Sequence, residues 1–101
     1  RRWAESRLDH NPRSASAIRR EIAARGVEAS VAADAVRDVD DEESAYRAAL
    51  SPARRLRAAD FATFHRRLWG YLRRRGFSDL VCRHTLDRLW TELAGEDHPH
   101  Q

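Results

Sequence analysis

The sequence predicts an all-α protein built of two tandem three-helix repeats, helix-turn-helix-like units in an extended helical array. Three observations predict it. Apolar residues recur at helical spacing, as at Ile18/Ile22 and Phe64/Leu68/Leu72, and no useful stretch alternates with the two-residue period of a strand. Sliding the sequence against itself by 50 residues lays Ile18–Val27 on Leu68–Phe77, with Arg25 on Arg75 and Gly26 on Gly76, and the apolar pattern then continues through Val31/Val81, Val36/Leu86 and Val39/Leu89. Both blocks also share one stop signal, an arginine followed by a glycine and then an apolar residue (Val27 or Phe77).

The elements follow in order. The first unit, residues 1–41, opens with a helix over about residues 2–9, ended by His10-Asn11-Pro12, because proline disfavours helical geometry in the residue before it. A second helix carries Ile18 and Ile22 and stops at Gly26, where glycine accepts the left-handed conformation and the preceding arginines complement the helix dipole. The third starts at Glu28, a poor cap, with Val31, Ala35 and Val39 as its stripe. The second unit, residues 42–94, begins with a stripe of Tyr46, Ala49, Leu50, Ala53 and Leu56. Pro52 lies inside it, so the helix either kinks there or restarts with Ser51 as cap; the kinked, nearly continuous form is the reading adopted. Asp60 caps a helix over residues 61–75, and Ser78, followed by Asp79, caps the last, whose stripe is Cys82, Leu86, Leu89, Trp90 and Leu93. Residues 95–101 read as a disordered tail.

A chain of 101 residues with 42% hydrophobic and 35% charged residues builds a modest core under a heavily solvated surface. No apolar run approaches the roughly 20 residues that cross a bilayer, and no signal peptide pattern is present. The expectation is a cytoplasmic monomer with no membrane association. The absence of methionine, and an opening Arg1-Arg2-Trp3 that already reads as helix, suggest a piece of a longer protein.

Every basic residue is arginine, and the charge is segregated. Residues 1–26 carry seven Arg against three acids, residues 27–46 one against seven, and residues 47–91 eleven against three. Such asymmetry suits anionic partners, although solvated helix faces produce it too.

Catalytic chemistry finds little support. Cys82 and His84 are two apart on a helix and point to different sides, and neither has a partner at metal-ligand spacing. His10 and His65 have no nearby acid pattern that would suggest a triad or dyad, and the acidic run Asp38–Glu43 lacks the glycine and ligand order of a calcium loop. The reading is a protein that is not an enzyme and takes no metal or cofactor. The aromatics Phe61, Phe64, Trp69 and Phe77 fall at core positions rather than on a stacking platform.

The arginines are the stronger lead. Arg19 and Arg20, Arg66 and Arg67, and Arg73, Arg74 and Arg75 lie on the middle helices; Arg66 with Arg73, and Arg67 with Arg74, are seven apart and share faces. Arg54, Arg55 and Arg57 add charge on the preceding helix. Such rows can track a phosphate backbone or an acidic protein groove, and equally can be solvated faces whose stems pack on the core.

The block Leu68–Ser78, continuing to Leu86 and Leu89, resembles the last repeat of the RecX family of recombinase regulators, and Trp3–Leu8 with Arg19–Val27 is similar to the repeat before it. The resemblance covers most of residues 1–93 and rests on the two glycine corners and the repeat offset. It implies tandem three-helix repeats whose first copy lies outside this chain, and a cytoplasmic regulator that binds the RecA–DNA filament and inhibits its ATPase and strand exchange. Pro52 and Glu28 depart from the family's pattern and put local geometry in question. Two alternatives stand beside it, a helical module that binds DNA directly and an adaptor for another acidic protein. Against the first, no Asn, Gln or Arg opens the helix after either glycine.

Overall fold

The computed structural model describes residues 12–97. Within them the chain is all-helical and without strands: α1 (Ala15–Ala24), α2 (Ala29–Ala35), α3 (Asp41–Arg55), α4 (Phe61–Arg74) and α5 (Asp79–Asp97). The helix expected over residues 2–9 and the tail residues 98–101 lie outside the described part.

Local chemistry sets the boundaries. The Ser14 Oγ accepts from the Ala17 N–H at 3.0 Å, Asp60 accepts from the Thr63 N–H at 2.8 Å, and Ser78 accepts from the Val81 N–H at 3.2 Å, so α1, α4 and α5 each start on a side-chain cap. Asp40 caps α3 by accepting from the Glu42 and Glu43 N–H groups. Glu28 makes no such bond; its carboxylate accepts from the Ser30 hydroxyl instead. Gly26 and Gly76 both have φ of 92°, the left-handed stop the sequence requires. At Gly76 the motif is complete, since Gly76 N–H donates to the Arg73 carbonyl and Phe77 N–H to that of Leu72, while the Phe77 and Leu72 side chains are both buried.

Pro52 sits inside α3 without ending it. It comes one turn before Arg55, so the helix forfeits a single bond near its C-terminus rather than breaking. Gly95 does not stop α5 either: the helix continues through Asp97, which corrects the expectation of a tail starting at residue 95. Glycine costs a helix only about 1 kcal/mol, whereas Pro99 disfavours helical geometry at the residue before it.

Helices α3, α4 and α5 form a three-helix bundle in which every pair packs. Ala45, Ala49 and Ala53 of α3 are fully buried and, being small, let Phe64, Leu68 and Leu72 of α4 and Cys82, Leu86 and Leu89 of α5 close on the same core. Helices α1 and α2 form a smaller unit around buried Ile18 and Val36, with Ala15, Ile22 and Val39 partly covered. Here the expected stripe of α2 is corrected. Val31 is 55% exposed, and the inward face is Ala32 and Val36, which align with buried Cys82 and Leu86 in the repeat. The sequence admits both stripes because each is a pair of small apolar residues four apart; packing on Ile18 selects one.

The units meet at one joint. The Ser14 N–H donates to the Arg75 carbonyl at 3.1 Å, and the Ala15 N–H donates to the Asp41 carboxylate at 2.8 Å. Gly76 lies so close beneath that a Cβ there would stand 2.6 Å from the Ser14 Oγ and 2.8 Å from the Ala17 Cβ. The first turn of α1 is thus seated on the corner between α4 and α5. The outline is elongated, 52 × 20 × 19 Å.

Candidate anion interface

The seating of α1 on the Gly76 corner creates a cleft of about 350 Å³, lined by Arg13, Arg20 and Glu21 from one side and Arg73, Arg74 and Gly76 from the other. Four arginines from both units therefore line one cleft, although they are spread over more than 60 residues of sequence. Their states differ. Arg13 meets the Glu21 carboxylate at 2.6 Å, with the two side chains 29% and 24% exposed, and its buried Nε has no hydrogen-bond partner. Arg73 donates to the Phe77 carbonyl at 2.7 Å and reaches the Asp79 carboxylate at 3.3 Å, so it staples the corner as well as charging the cleft. The Arg20 guanidinium donates to the neutral Ser16 hydroxyl at 3.0 Å. Arg74 folds back over Gly70, where its terminal nitrogen would stand 3.2 Å from an added Cβ, and no carboxylate among the described residues pairs with it.

The other arginines expected to carry function are dispersed. Arg75 lies with its guanidinium 3.7 Å from the centre of the Tyr71 ring and is half-buried, a packed cation rather than a presented one. The run Arg73-Arg74-Arg75 therefore points three ways, as three consecutive helical residues must. Arg54, Arg55, Arg66 and Arg67 are exposed, outside the cleft, and Arg55 donates to the Ser51 hydroxyl. Arg19 is exposed and lines a separate depression of about 270 Å³ with Ala15, Ser16, Ala33, Val36 and Asp41. Arg13, which sequence reasoning missed, precedes a cap in what read as connecting chain.

A second polar cluster lies on the α3–α5 face. The Tyr46 hydroxyl donates to Glu92 at 2.6 Å, Arg88 donates to the same carboxylate at 3.1 Å, and the Arg88 guanidinium stacks 3.6 Å from the Tyr46 ring centre. The Tyr46 bond and then that of Arg88 hold the Glu92 carboxyl below its ordinary pKa, and Glu92 in turn pushes the Tyr46 phenol up. Next to it His84 meets Glu42 at 3.1 Å. These contacts fasten α3 to α5.

The aromatics divide. Phe64 and Phe77 are buried and Trp69 packs, partly buried, against the same core as expected, but Phe61 is 45% exposed. Phe61, His65 and Trp69 form a ladder along α4, with centroids 5.5 Å apart at each step, and Trp90 of α5 packs edge-on against Phe61 and Phe64. Cys82 is buried, and burial pushes its thiol pKa up, which keeps it protonated and unreactive. Among the described residues no group of three or more His, Cys, Asp or Glu is placed to hold a metal ion, and no helix is long and apolar enough to cross a membrane.

Compared with known protein families, with curated proteins and with solved structures, the chain finds no match.

Proposed function

We propose that the chain is a non-catalytic regulatory module that presents arginines from two stacked helical units to an anionic partner, and that this partner is the RecA–DNA filament, as the resemblance to RecX regulators implies. One observation carries the reading: Arg20 and Arg74, from different units, line one cleft, and neither has a carboxylate partner among the described residues. Unpaired guanidiniums held in one place are suited to planar, multidentate contact with phosphate or carboxylate groups. Stacked repeat units also make the long surfaces that binding along a filament uses. The protein acts in the cytoplasm, lowering RecA-dependent ATP hydrolysis and strand exchange in recombination and repair.

Against a helix-turn-helix reader of bases, the helix after Gly76 opens on Asp79, which pairs with Arg73 and would face a phosphate with negative charge. The test is ATP hydrolysis by RecA on single-stranded DNA, with the full-length protein added at sub-stoichiometric to equimolar amounts. Inhibition is expected, and reversal of Arg20, Arg73 and Arg74 to Glu abolishes it. Absence of inhibition by the unaltered protein rejects the filament reading; inhibition that survives the reversal rejects the cleft as its site.

A further inference from the structure

The cleft at the joint has a property that neither unit has alone. Two of its arginines come from opposite sides, Arg20 from α1 and Arg74 from α4, and among the described residues no acid is paired with either. Glu21, the acid that lines the cleft, is bonded to Arg13. Like charges on the two walls of one cleft repel, and the interface that holds the walls together is slight: two backbone amide hydrogen bonds, Ser14 to the Arg75 carbonyl and Ala15 to the Asp41 carboxylate, and the close seating of Ser14 and Ala17 on Gly76. An anion between the two guanidiniums would turn that repulsion into a bridge.

We infer that this cleft takes one phosphate group of a nucleic-acid backbone, gripped by Arg20 of the first unit and Arg74 of the second, and that the phosphate fixes the two units at the Gly76 joint. The inference rests on the arginine-presenting reading above but not on RecA. Phosphate suits the site better than a side-chain carboxylate does. A tetrahedral phosphodiester offers oxygens in several directions to forks arriving from opposite walls, whereas a planar carboxylate satisfies one fork edge-on. Glu21 would also repel an incoming carboxylate while remaining paired to Arg13.

Two consequences distinguish this site from general attraction to arginine-rich helices. Residues that grip one group are coupled, so their losses are not additive. A ligand that spans the joint also slows its opening, and the Ser14 and Ala15 amides, which donate across it, report that directly.

The experiment uses the full-length protein without RecA. Binding of a labelled oligothymidine of about ten nucleotides, a length within the usual range of single-strand sites, is measured by anisotropy, with inorganic phosphate and poly-glutamate as competitors. Arg20→Gln and Arg74→Gln should each weaken binding about tenfold and lower the salt slope by about one, while the double variant should be weaker than either single one by no more than about threefold. Arg54→Gln and Arg67→Gln, exposed outside the cleft, should stay within about twofold. Inorganic phosphate should compete, and poly-glutamate at matched charge should compete at least about tenfold less well. At saturation the Ser14 and Ala15 amides should exchange about tenfold more slowly, and not in Arg20→Gln.

Equal losses at Arg54 and Arg67, or full additivity of Arg20 and Arg74, would overturn the site. Equal competition by poly-glutamate would assign the cleft to an acidic protein instead, and unchanged amide exchange at saturation would overturn the locking of the joint. Since RecA is absent from the assay, its failure leaves filament regulation standing, while a protein that binds the oligonucleotide but never slows RecA overturns only the regulatory reading.

Discussion

Gly26 and Gly76 have the same backbone conformation and different surroundings, which separates two costs that glycine substitutions usually mix. An alanine at Gly26 would meet nothing within 4 Å, so it bears only the left-handed strain, about 1 to 2 kcal/mol. At Gly76 the same strain is joined by overlap with Ser14 and Ala17, which must move. Gly76→Ala should therefore lose at least about 2 kcal/mol more than Gly26→Ala in urea denaturation, as overpacking does. Similar losses in the two variants would show that the joint yields freely. The carboxyls give a second check. Asp60 is held below its ordinary pKa by the Thr63 backbone N–H, and Glu92 by Tyr46 and Arg88. A pKa that is lower when folded contributes stability that is present above the unfolded value and is lost as pH falls through the folded one. Melting temperature should fall as pH drops from about 5 to about 3, and Glu92→Gln should flatten that part of the profile. At this scale the sequence was partly legible. The caps at Asp60 and Ser78 and both glycines could be read because their chemistry is local. Arg13 could not, since its importance comes from Glu21 and from a cleft whose other wall is some 60 residues distant.

Among the elements, α3 and α2 are where sequence reasoning and structure meet least directly. The helix around Pro52 was readable as nearly continuous because its apolar stripe persists beyond the proline. The register of α2 was not, because Val31/Ala35 and Ala32/Val36 offer equivalent stripes, and the choice depends on Ile18 in another helix. The length of α5 beyond Gly95 was likewise obscured by reading glycine as a stop wherever it occurs. In α3 the proline removes the N–H that would bond to the Ala48 carbonyl, while lowering the entropy of the unfolded chain by a smaller amount. Pro52→Ala should accordingly raise stability by about 1 to 2 kcal/mol, read as a higher urea midpoint at unchanged slope. A loss would mean that the proline ring packs better than an alanine could. On α1, Ser14→Ala removes a buried cap and should cost about 1 kcal/mol.

The whole molecule inherits an imbalance from its repeat. The alignment at a 50-residue offset preserves the corner and the positions that face inward, but not the size of what is buried. Leu68, Phe77, Cys82 and Leu86 answer to Ile18, Val27, Ala32 and Val36, so at three of these four positions the second unit places the larger side chain. Helix α2 has 7 residues against 19 in α5, too few to be stable without packing. Apolar burial scales with area at about 25 cal/mol per Å², so the unit around Phe64, Leu68, Leu72, Leu86 and Leu89 holds most of the folding energy of the described residues. The joint adds little to the smaller unit, because it is made of two backbone N–H hydrogen bonds and the close approach of Ser14 and Ala17 to Gly76 rather than a broad apolar interface. Native-state hydrogen exchange should therefore resolve two levels of opening, with the amides of α1 and α2 opening at lower free energy than those of α4 and α5. Phe64→Ala should lower the upper level by about 3 to 5 kcal/mol, and Val36→Ala should lower only the lower one. A single level shared by all five helices would show that the joint couples the units fully without any ligand, leaving an anion in the cleft nothing to lock.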